Sequence, residues 1–329
     1  MLQDLQPDRA PPPTHRAPPA SIAVASTATP GPSSHPARGT ARPGVGSDPF
    51  ISTMWAVHPC PIFDPRNRRG PWFQFRVPAG YEWNRVQLPV PNLPRALEGL
   101  RLLHVTDFHF HRSWKAPHDD LLRRVAADPP DLLLCSGDYV EDKSDHRPAL
   151  PMAMRMVRGF RARLGVFGIL GNHDGHRMEA PLRRQSAMQV IDRRRVEVPV
   201  RDGSASATIE IVGLPGVDRR ELRDDFLQSI PPRREGTLRI VLSHHPDHLP
   251  RVQFQLQPDL FLAGHTHGGQ VCLPGGWPII RHDSSPRRLC SGIHWLDRTW
   301  MIANRGFGFS GLPVRLFCPP KCWICGLRG

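Results

Sequence analysis

The stretch that decides the fold is Phe261-Leu262-Ala263-Gly264-His265-Thr266-His267-Gly268-Gly269-Gln270. It begins as an apolar run typical of a buried strand and ends abruptly in glycines and two histidines. The glycines on both sides predict a tight loop at the end of the strand. Imidazole is the commonest metal ligand in proteins, yet a His-x-His pair alone indicates a metal site only weakly. The other strands decide whether these histidines have partners.

Four further apolar runs end in the same way. The residues that follow them are Asp107-Phe108-His109, Gly137-Asp138, Gly171-Asn172-His173-Asp174 and His244. Between the runs, Asp119 to Ala127, Ala149 to Arg163 and Pro181 to Arg195 have the pattern of helices. Strand, helix, strand in this order predicts an α/β fold with a covered sheet. Such folds place their sites at one edge of the sheet, so we expect the strand ends to converge.

The side chains at these strand ends form a set of oxygen and nitrogen donors. The set contains carboxylates, an amide and imidazoles, with no thiolate. It suits Mn, Fe, Zn, Co or Ni better than calcium, which prefers oxygen ligands alone. A shared carboxylate can hold two cations about 3.5–4 Å apart, a spacing that clamps the attacking and leaving oxygens in phosphoryl transfer.

The order of these motifs resembles the calcineurin-like metallophosphoesterase superfamily, over Leu100 to Phe317. Gly-His-Thr-His-Gly-Gly-Gln-Val, the downstream Leu-Pro-Gly-Gly, and Asn304-Arg305-Gly306 with Gly311-Leu312-Pro313-Val314-Arg315 resemble the bacterial YkuE/YaeI-type phosphodiesterases. The resemblance implies a four-layer αββα sandwich with a dinuclear metal site at the strand ends. It also implies two divalent metal ions, of which we favour manganese over iron or zinc.

The resemblance assigns the metal ligands residue by residue. It puts the first metal on Asp107, His109 and His267, and the second metal on Asn172, His244 and His265, with Asp138 bridging both. His244 is preferred to His245 because the ligand of the family precedes an x-Pro pair, as in His244-His245-Pro246.

The resemblance also implies a catalytic pair in the Gly-Asn-His-Asp turn. His173 would protonate the leaving oxygen or stabilise developing charge, and Asp174 would fix the tautomer of His173. The alternative is that His173 only packs the turn.

These residues favour hydrolysis of a phosphodiester or pyrophosphate bond by a metal-activated water. The chain has neither a Gly-rich P-loop nor a Gly-x-Ser-x-Gly elbow. It also lacks the Gly-Asp-x-x-Asp-Arg-Gly pattern of protein Ser/Thr phosphatases, which disfavours phosphoprotein substrates. A lipid-linked or UDP-sugar substrate is our hypothesis, and the alternatives are a basic metal-dependent nuclease and a non-catalytic scaffold of the same fold.

Composition restricts the partners and the location. The net charge of +13 favours anionic partners such as a phosphorylated small molecule, a lipid-linked substrate or the membrane surface. The positive charge is scattered, so we do not expect nucleic acid. The seven cysteines, an odd number, favour a reducing compartment, and we expect a cytoplasmic protein or one peripheral to the inner membrane. The Cys322-x-x-Cys325 motif lacks the second pair that a zinc site needs.

The chain divides into three segments by composition. Residues 1–53 are rich in proline, alanine and arginine, and we expect them to be disordered, with Met54 as an alternative start. Residues 54–99 read as a lead-in hairpin, formed by strands at Trp72 to Val77 and Trp83 to Leu88 and packed on the domain. Residues 100–329 form the metallophosphoesterase domain.

Overall fold

The computed structural model describes residues 59–185 and 188–329. The segment expected to be disordered and the alternative start at Met54 lie outside these residues. The α-helices are α1 Ala116–Ala127, α2 Leu150–Gly159, α3 Glu179–Gln185, α4 Asp224–Ser229 and α5 Leu249–Leu256. The strands are β1 Ile62–Phe63, β2 Phe73–Phe75, β3 Glu82–Pro89, β4 Arg101–Val105, β5 Leu132–Cys135, β6 Gly165–Gly168, β7 Gln189–Val190, β8 Arg194–Asp202, β9 Ala205–Gly213, β10 Thr237–Ser243, β11 Leu260–Ala263, β12 Cys272–Leu273, β13 Trp277–Pro278, β14 Gly292–Leu296, β15 Thr299–Ala303, β16 Val314–Leu316 and β17 Lys321–Arg328.

Two large sheets carry the fold. The first sheet has the strand order β1-β3-β17-β4-β5-β6-β7, and the second sheet has the order β14-β15-β11-β10-β9-β8. Two small ribbons, β12-β13 and β16-β2, lie outside them. None of the described helices has the length and apolar character needed to cross a bilayer.

Alternating side chains along the strands divide the core into layers. On β4, Leu102 packs in the core shared by both sheets, whereas Leu103 packs in the core beneath α1 and α2. On β10, Ile240 faces the shared core and Val241 packs in the core that includes residues of α4 and α5. The layers are therefore helix, sheet, sheet, helix, and the predicted α/β sandwich is confirmed.

The parallel pairing of the central strands brings their carboxyl ends together. In the first sheet β4, β5 and β6 are parallel neighbours, and in the second sheet β10 and β11 are parallel neighbours. The loops that follow these five strands carry the predicted site residues. The hydrogen bond from His244 Nδ1 to the carbonyl oxygen of Ser136 joins the two sheets at this edge.

The lead-in segment forms both predicted strands but not the predicted hairpin. β2 pairs with β16, and β3 pairs with β1 and β17. Val86 and Leu88 on β3 are buried in the core between the sheets, an apolar face that an isolated two-stranded hairpin would leave in water. Joining the first sheet buries this face.

The helix predicted over Pro181 to Arg195 is also wrong in its second half. α3 ends at Gln185, and residues from Gln189 onward form β7 and β8. Val196, Val198 and Val200 alternate along β8 and pack on the core between the sheets, which is the period of a strand.

The Cys-x-x-Cys motif lies on β17, and its two cysteines pack in different cores. Cys322 packs in the core beneath α1 and α2, whereas Cys325 packs in the core between the sheets. The two thiols therefore lie on opposite faces of β17 and cannot share one metal ion.

Candidate metal centre

The backbone turns sharply at the residues that follow the central strands. Non-glycine residues with positive φ are rare and cost about 1–3 kcal/mol each, and they concentrate at functional sites. Five of the predicted ligands adopt this conformation: Asp107 (φ 53°), His109 (46°), Asp138 (55°), His265 (68°) and His267 (50°). The fold holds these residues in strained conformations at the edge where the two sheets meet.

Two glycines allow the aspartates to approach the neighbouring backbone. A Cβ atom on Gly171 would lie 2.2 Å from Asp138 Oδ1, and a Cβ atom on Gly264 would lie 2.4 Å from Asp107 Oδ2. Both distances are shorter than any van der Waals contact, so any larger residue would displace a carboxylate.

We call Asp107, His109 and His267 the first cluster. His109 Nε2 and His267 Nε2 lie 2.9 Å apart. Asp107 Oδ1 lies 3.8 Å from the nitrogen of His109 and 3.6 Å from that of His267. All three side chains are buried. The structure therefore brings together the three residues predicted to hold the first metal.

We call Asn172, His244 and His265 the second cluster. Asn172 Oδ1 lies 2.9 Å from both His244 Nε2 and His265 Nδ1, and these two nitrogens are 3.2 Å apart. The neighbouring His245 lies outside the cluster, since its Nε2 donates to the carbonyl oxygen of Gly216 at 3.1 Å. The structure thus places His244 in the cluster and His245 outside it, and His244 as a ligand stays a prediction.

Asp138 lies between the two clusters. Its Oδ2 atom is 3.3 Å from His109 Nε2 and 3.2 Å from His244 Nε2. One oxygen atom therefore lies within reach of the donors of both clusters, which is the position expected of a bridging ligand.

The donor set fits divalent metal ions. Asp107 and Asp138 are buried, and in the part of the chain that the structure describes neither has a Lys or Arg nitrogen within 4.0 Å. Buried carboxylates of this kind need a cation. Ligands about 2.1 Å from one ion lie roughly 3.0–3.4 Å apart, close to the separations seen within the clusters.

The pKa values of the histidines depend on burial and on the charges of the nearby groups. Burial and the nearby His244 lower the pKa of His265 to about 4, and burial lowers the pKa of His267 well below its usual value. Both rings are then neutral, which is the form that binds metals. Burial alone would lower the pKa of His109, but the nearby carboxylate of Asp107 and the hydrogen bond to Glu141 raise it to about 10. The carboxylates therefore create a field that attracts positive charge.

Glu141 orients the first cluster and was missed by sequence reasoning. His109 Nδ1 donates to Glu141 Oε2 at 2.5 Å, and the amide of Gly311 donates to Glu141 Oε1 at 3.0 Å. A carboxylate behind a ligating histidine fixes the ring orientation and raises its basicity. The signal was available, because Glu141 follows the predicted bridge Asp138 by three residues on the same loop.

Arg315 was also missed, although it lies in a motif that carried the family resemblance. Its Nη2 donates to His267 Nδ1 at 3.0 Å and to the carbonyl oxygens of Arg305 and Gly308 at 2.8 and 2.6 Å. An accepting Nδ1 places the ring proton of neutral His267 on Nε2, and metal binding at Nε2 would release that proton. Burial lowers the pKa of Arg315 to about 10, so the guanidinium remains charged at neutral pH.

His173 lies beside the first cluster. Its ring centroid is 4.8 Å from that of His109, and its Nδ1 donates to the carbonyl oxygen of Glu141 at 2.6 Å. The side chain is 26% exposed, so the ring reaches the surface of the site. Ligand atoms of His109, Asp138 and His173 also lie within 4.8 Å of one another, so the geometry offers His173 as a ligand as well.

Asp174 does not have the predicted role, because its carboxylate turns back into the loop. It accepts hydrogen bonds from four backbone amides, whereas the tautomer of His173 is fixed by the carbonyl of Glu141. The donors are the amides of Asp138, Tyr139, Val140 and Gly171, at 2.8, 2.7, 3.2 and 2.8 Å. Burial and the charge of Asp138 raise the pKa of Asp174 to about 7 despite these bonds. Asp174 therefore holds the loops of Asp138 and Asn172 together.

Similar proteins include several named as metallophosphoesterases. The uncharacterized metallophosphoesterase Cj0846 of Campylobacter jejuni is 25% identical over 75% of this chain and 63% of its own length. The uncharacterized metallophosphoesterase YkuE of Bacillus subtilis is 27% identical over 72% of this chain and 82% of its own length. The UDP-2,3-diacylglucosamine pyrophosphatase LpxG of Chlamydia trachomatis is 25% identical over 72% of this chain and 86% of its own length.

The family model described as calcineurin-like phosphoesterase matches residues 100–269, which contain every predicted metal ligand. This chain therefore belongs to the calcineurin-like phosphoesterase family, which points to a metal-dependent phosphohydrolase.

Proposed function

We propose that this chain hydrolyses a phosphodiester or pyrophosphate bond, with one divalent ion at each cluster and Asp138 bridging them. The observation that carries the proposal is the position of Asp138 Oδ2, 3.3 Å from a donor of the first cluster and 3.2 Å from a donor of the second. When bound, such a pair of ions lowers the pKa of water and stabilises charge on phosphoryl oxygens.

The side chains of the two clusters would hold these ions. Asp107, His109 and His267 would bind the first ion, and Asn172, His244 and His265 the second. Manganese is our choice of metal, since the donors are carboxylate, amide and imidazole groups without thiolate. All of these donors lie within the matched residues 100–269.

His173 would donate a proton to the leaving oxygen. Its Nδ1 is engaged by the carbonyl of Glu141, so a protonated ring carries its other proton on Nε2. That atom lies 3.5 Å from Ser310 Oγ, and this weak contact leaves it available to a leaving oxygen.

A lipid-linked or UDP-sugar substrate is the finer part of the proposal. Three observations support it: the net charge of +13, the similarity to the chlamydial pyrophosphatase, and exposed aromatic side chains. Phe73 and Phe75 on β2 are each more than half exposed. Such rings suit contact with a membrane surface, so we propose a cytoplasmic protein that is peripheral to the membrane.

A substrate panel on the manganese-reconstituted full chain tests the proposal. It contains a phosphate monoester, a soluble diester, a cyclic nucleotide, a lipid-bearing UDP-sugar and a DNA oligonucleotide. We expect turnover of diester or pyrophosphate bonds, with lipid-bearing substrate preferred. Turnover of monoesters alone would contradict the reaction class, and turnover of soluble diesters without the UDP-lipid would remove the lipid-linked part.

The oligonucleotide and the metal content test the two alternatives. A basic nuclease would cleave the oligonucleotide with a steep dependence on salt, because phosphate contacts release counterions. A non-catalytic scaffold would bind no stoichiometric metal.

A further inference from the structure

A cavity lies apart from the two clusters, between the lead-in segment and β17. It has a volume of about 540 Å³, and none of the proposed metal ligands lines it. Its walls include Arg68, Arg69, Trp72, Arg305, Lys321 and Trp323. Cavities that bind small molecules have volumes of about 300–1,000 Å³, so this one is large enough for a nucleotide.

The charge of this cavity is positive. Four cationic side chains line it, against the single carboxylate of Glu82. That carboxylate is already paired with Lys321 Nζ, at 2.7 Å. Arg68 and Arg69 are exposed and have no ion pair or hydrogen bond to the described residues. Two arginines therefore remain free to bind an anion such as a phosphate.

The inner wall holds two buried polar atoms without partners. Asn84 Oδ1, an acceptor, and Trp323 Nε1, a donor, have no hydrogen bond within the described residues. Asn84 and Trp323 are directly paired across β3 and β17, so the two residues are neighbours. Buried polar groups are nearly always satisfied in native proteins, and those that are not point to a missing partner. Both atoms are enclosed, so a ligand edge that carries a donor beside an acceptor would satisfy them once the two side chains turn toward the cavity.

Aromatic rings form the remaining walls. Trp72 stacks on Phe317, with ring centroids 5.5 Å apart and planes inclined by 24°. Phe63 packs against Trp323 at 6.0 Å. The Trp72 side chain is 62% exposed and offers surface to a further planar ring. Stacking on aromatic side chains is a common way for proteins to hold a nucleobase, because every base has a π-face.

We propose that this cavity binds a nucleoside diphosphate. The base stacks in the aromatic wall, the Asn84 and Trp323 side chains turn to meet its donor and acceptor edge, and the phosphates bind Arg68 and Arg69. The inference goes beyond the proposed hydrolysis, since no proposed metal ligand takes part. Arg305 connects the two sites: its side chain lines the cavity, and its carbonyl accepts from Arg315 Nη2, which also donates to His267.

Titration calorimetry on the full chain in excess EDTA tests the proposal, because chelation prevents metal ions from recruiting phosphates to the clusters. The probes are ADP, GDP, CDP, UDP and inorganic pyrophosphate. We expect at least one nucleotide to bind one to one with a Kd below about 100 μM, and pyrophosphate to bind about tenfold more weakly or worse. Binding by none of the four nucleotides overturns the proposal, and equally tight pyrophosphate overturns its nucleoside part.

Substitution of the two cavity arginines tests where the nucleotide binds. Arg68→Ala with Arg69→Ala should raise the Kd about tenfold or more, because hydrogen bonds to charged groups are the strong ones. The matched control is Arg123→Ala with Arg147→Ala, two exposed arginines elsewhere, which should leave the Kd within about twofold. Equal effects of the two double variants would overturn the assignment.

Two single substitutions complete the test. Trp323→Phe keeps the ring but removes the unpaired Nε1–H, and we expect the Kd to rise about threefold to tenfold. Asp138→Asn alters the proposed metal bridge and should leave the Kd unchanged. Loss of nucleotide binding in Asp138→Asn would place the nucleotide at the metal centre and overturn the second site. If the hydrolysis proposal fails instead, turnover is absent while nucleotide binding persists.

Discussion

The two clusters differ in how firmly the protein holds them. In the first cluster every side chain is buried, and charged groups hold the far nitrogens of its histidines, Glu141 behind His109 and Arg315 behind His267. In the second cluster Asn172 and His265 are only half-buried. The far nitrogen of His244 is held by a neutral backbone carbonyl.

The charges of the two clusters also favour tighter metal binding at the first cluster. The first cluster and its supports include two carboxylates, Asp107 and Glu141, against one guanidinium. The second cluster contributes an amide and two imidazoles, with no carboxylate apart from the shared Asp138. Rigid, negatively charged sites hold divalent ions more tightly. We therefore expect a tight first ion and a more exchangeable second ion.

Replacing Asp138 should have the largest effect, because it is the one group common to both clusters. We expect Asp138→Asn to lower turnover by on the order of 10³-fold and to reduce both bound ions, measured by metal analysis after dialysis. Asp225→Asn, on an exposed turn of α4, is the matched control. Retention of both ions with full turnover would remove the bridge from the proposal.

The next test separates the clusters by their histidines. We expect His267→Ala to lose the tight ion and His265→Ala to lose the exchangeable one, so each variant retains about one ion per chain. Calorimetric titration with Mn²⁺ should show only the weak step in His267→Ala and only the tight step in His265→Ala. Equal loss of both steps in each variant would contradict the division into clusters.

A smaller loss is expected when His173 is replaced. Removing a general acid costs about 10²-fold or more in turnover, and the ions should stay in place. The measurement is kcat together with metal content for His173→Ala. Loss of an ion would instead make His173 a ligand in the group with His109 and Asp138.

The smallest expected effect comes from the support behind His109. Glu141→Gln keeps the shape but removes the charge, and we expect the affinity for the tight ion to fall about 10–100-fold. Glu235→Gln, on the exposed surface, should have no effect. If Glu141→Gln weakened the second ion instead, the comparison between the clusters would be reversed.

The sequence predicted those features that depend on residues adjacent in the chain, and it missed those that depend on distant residues. Each cluster residue directly follows an apolar strand, so adjacent residues were enough to find it. β16, which pairs with β2, and β17, one of the two neighbours of β3, each lie more than 200 residues away along the chain, and nothing near β2 or β3 indicates them. The role of Arg315 depends on His267, 48 residues distant. Asp174 was misassigned because the family resemblance implied a contact with His173, whereas the Asp174 carboxylate accepts from backbone amides and His173 Nδ1 donates to the carbonyl of Glu141.

The position of β17 has a consequence for how the molecule is made. This strand, Lys321–Arg328, lies inside the first sheet between β3 and β4, although it is synthesised after every other described strand. Until it leaves the ribosome, β3 and β4 have unpaired backbone groups and an apolar face exposed to other chains. The metal centre, whose first residues follow β4, can therefore become rigid only after synthesis of the chain has passed residue 328. A nascent chain arrested earlier should be prone to aggregate and dependent on chaperones.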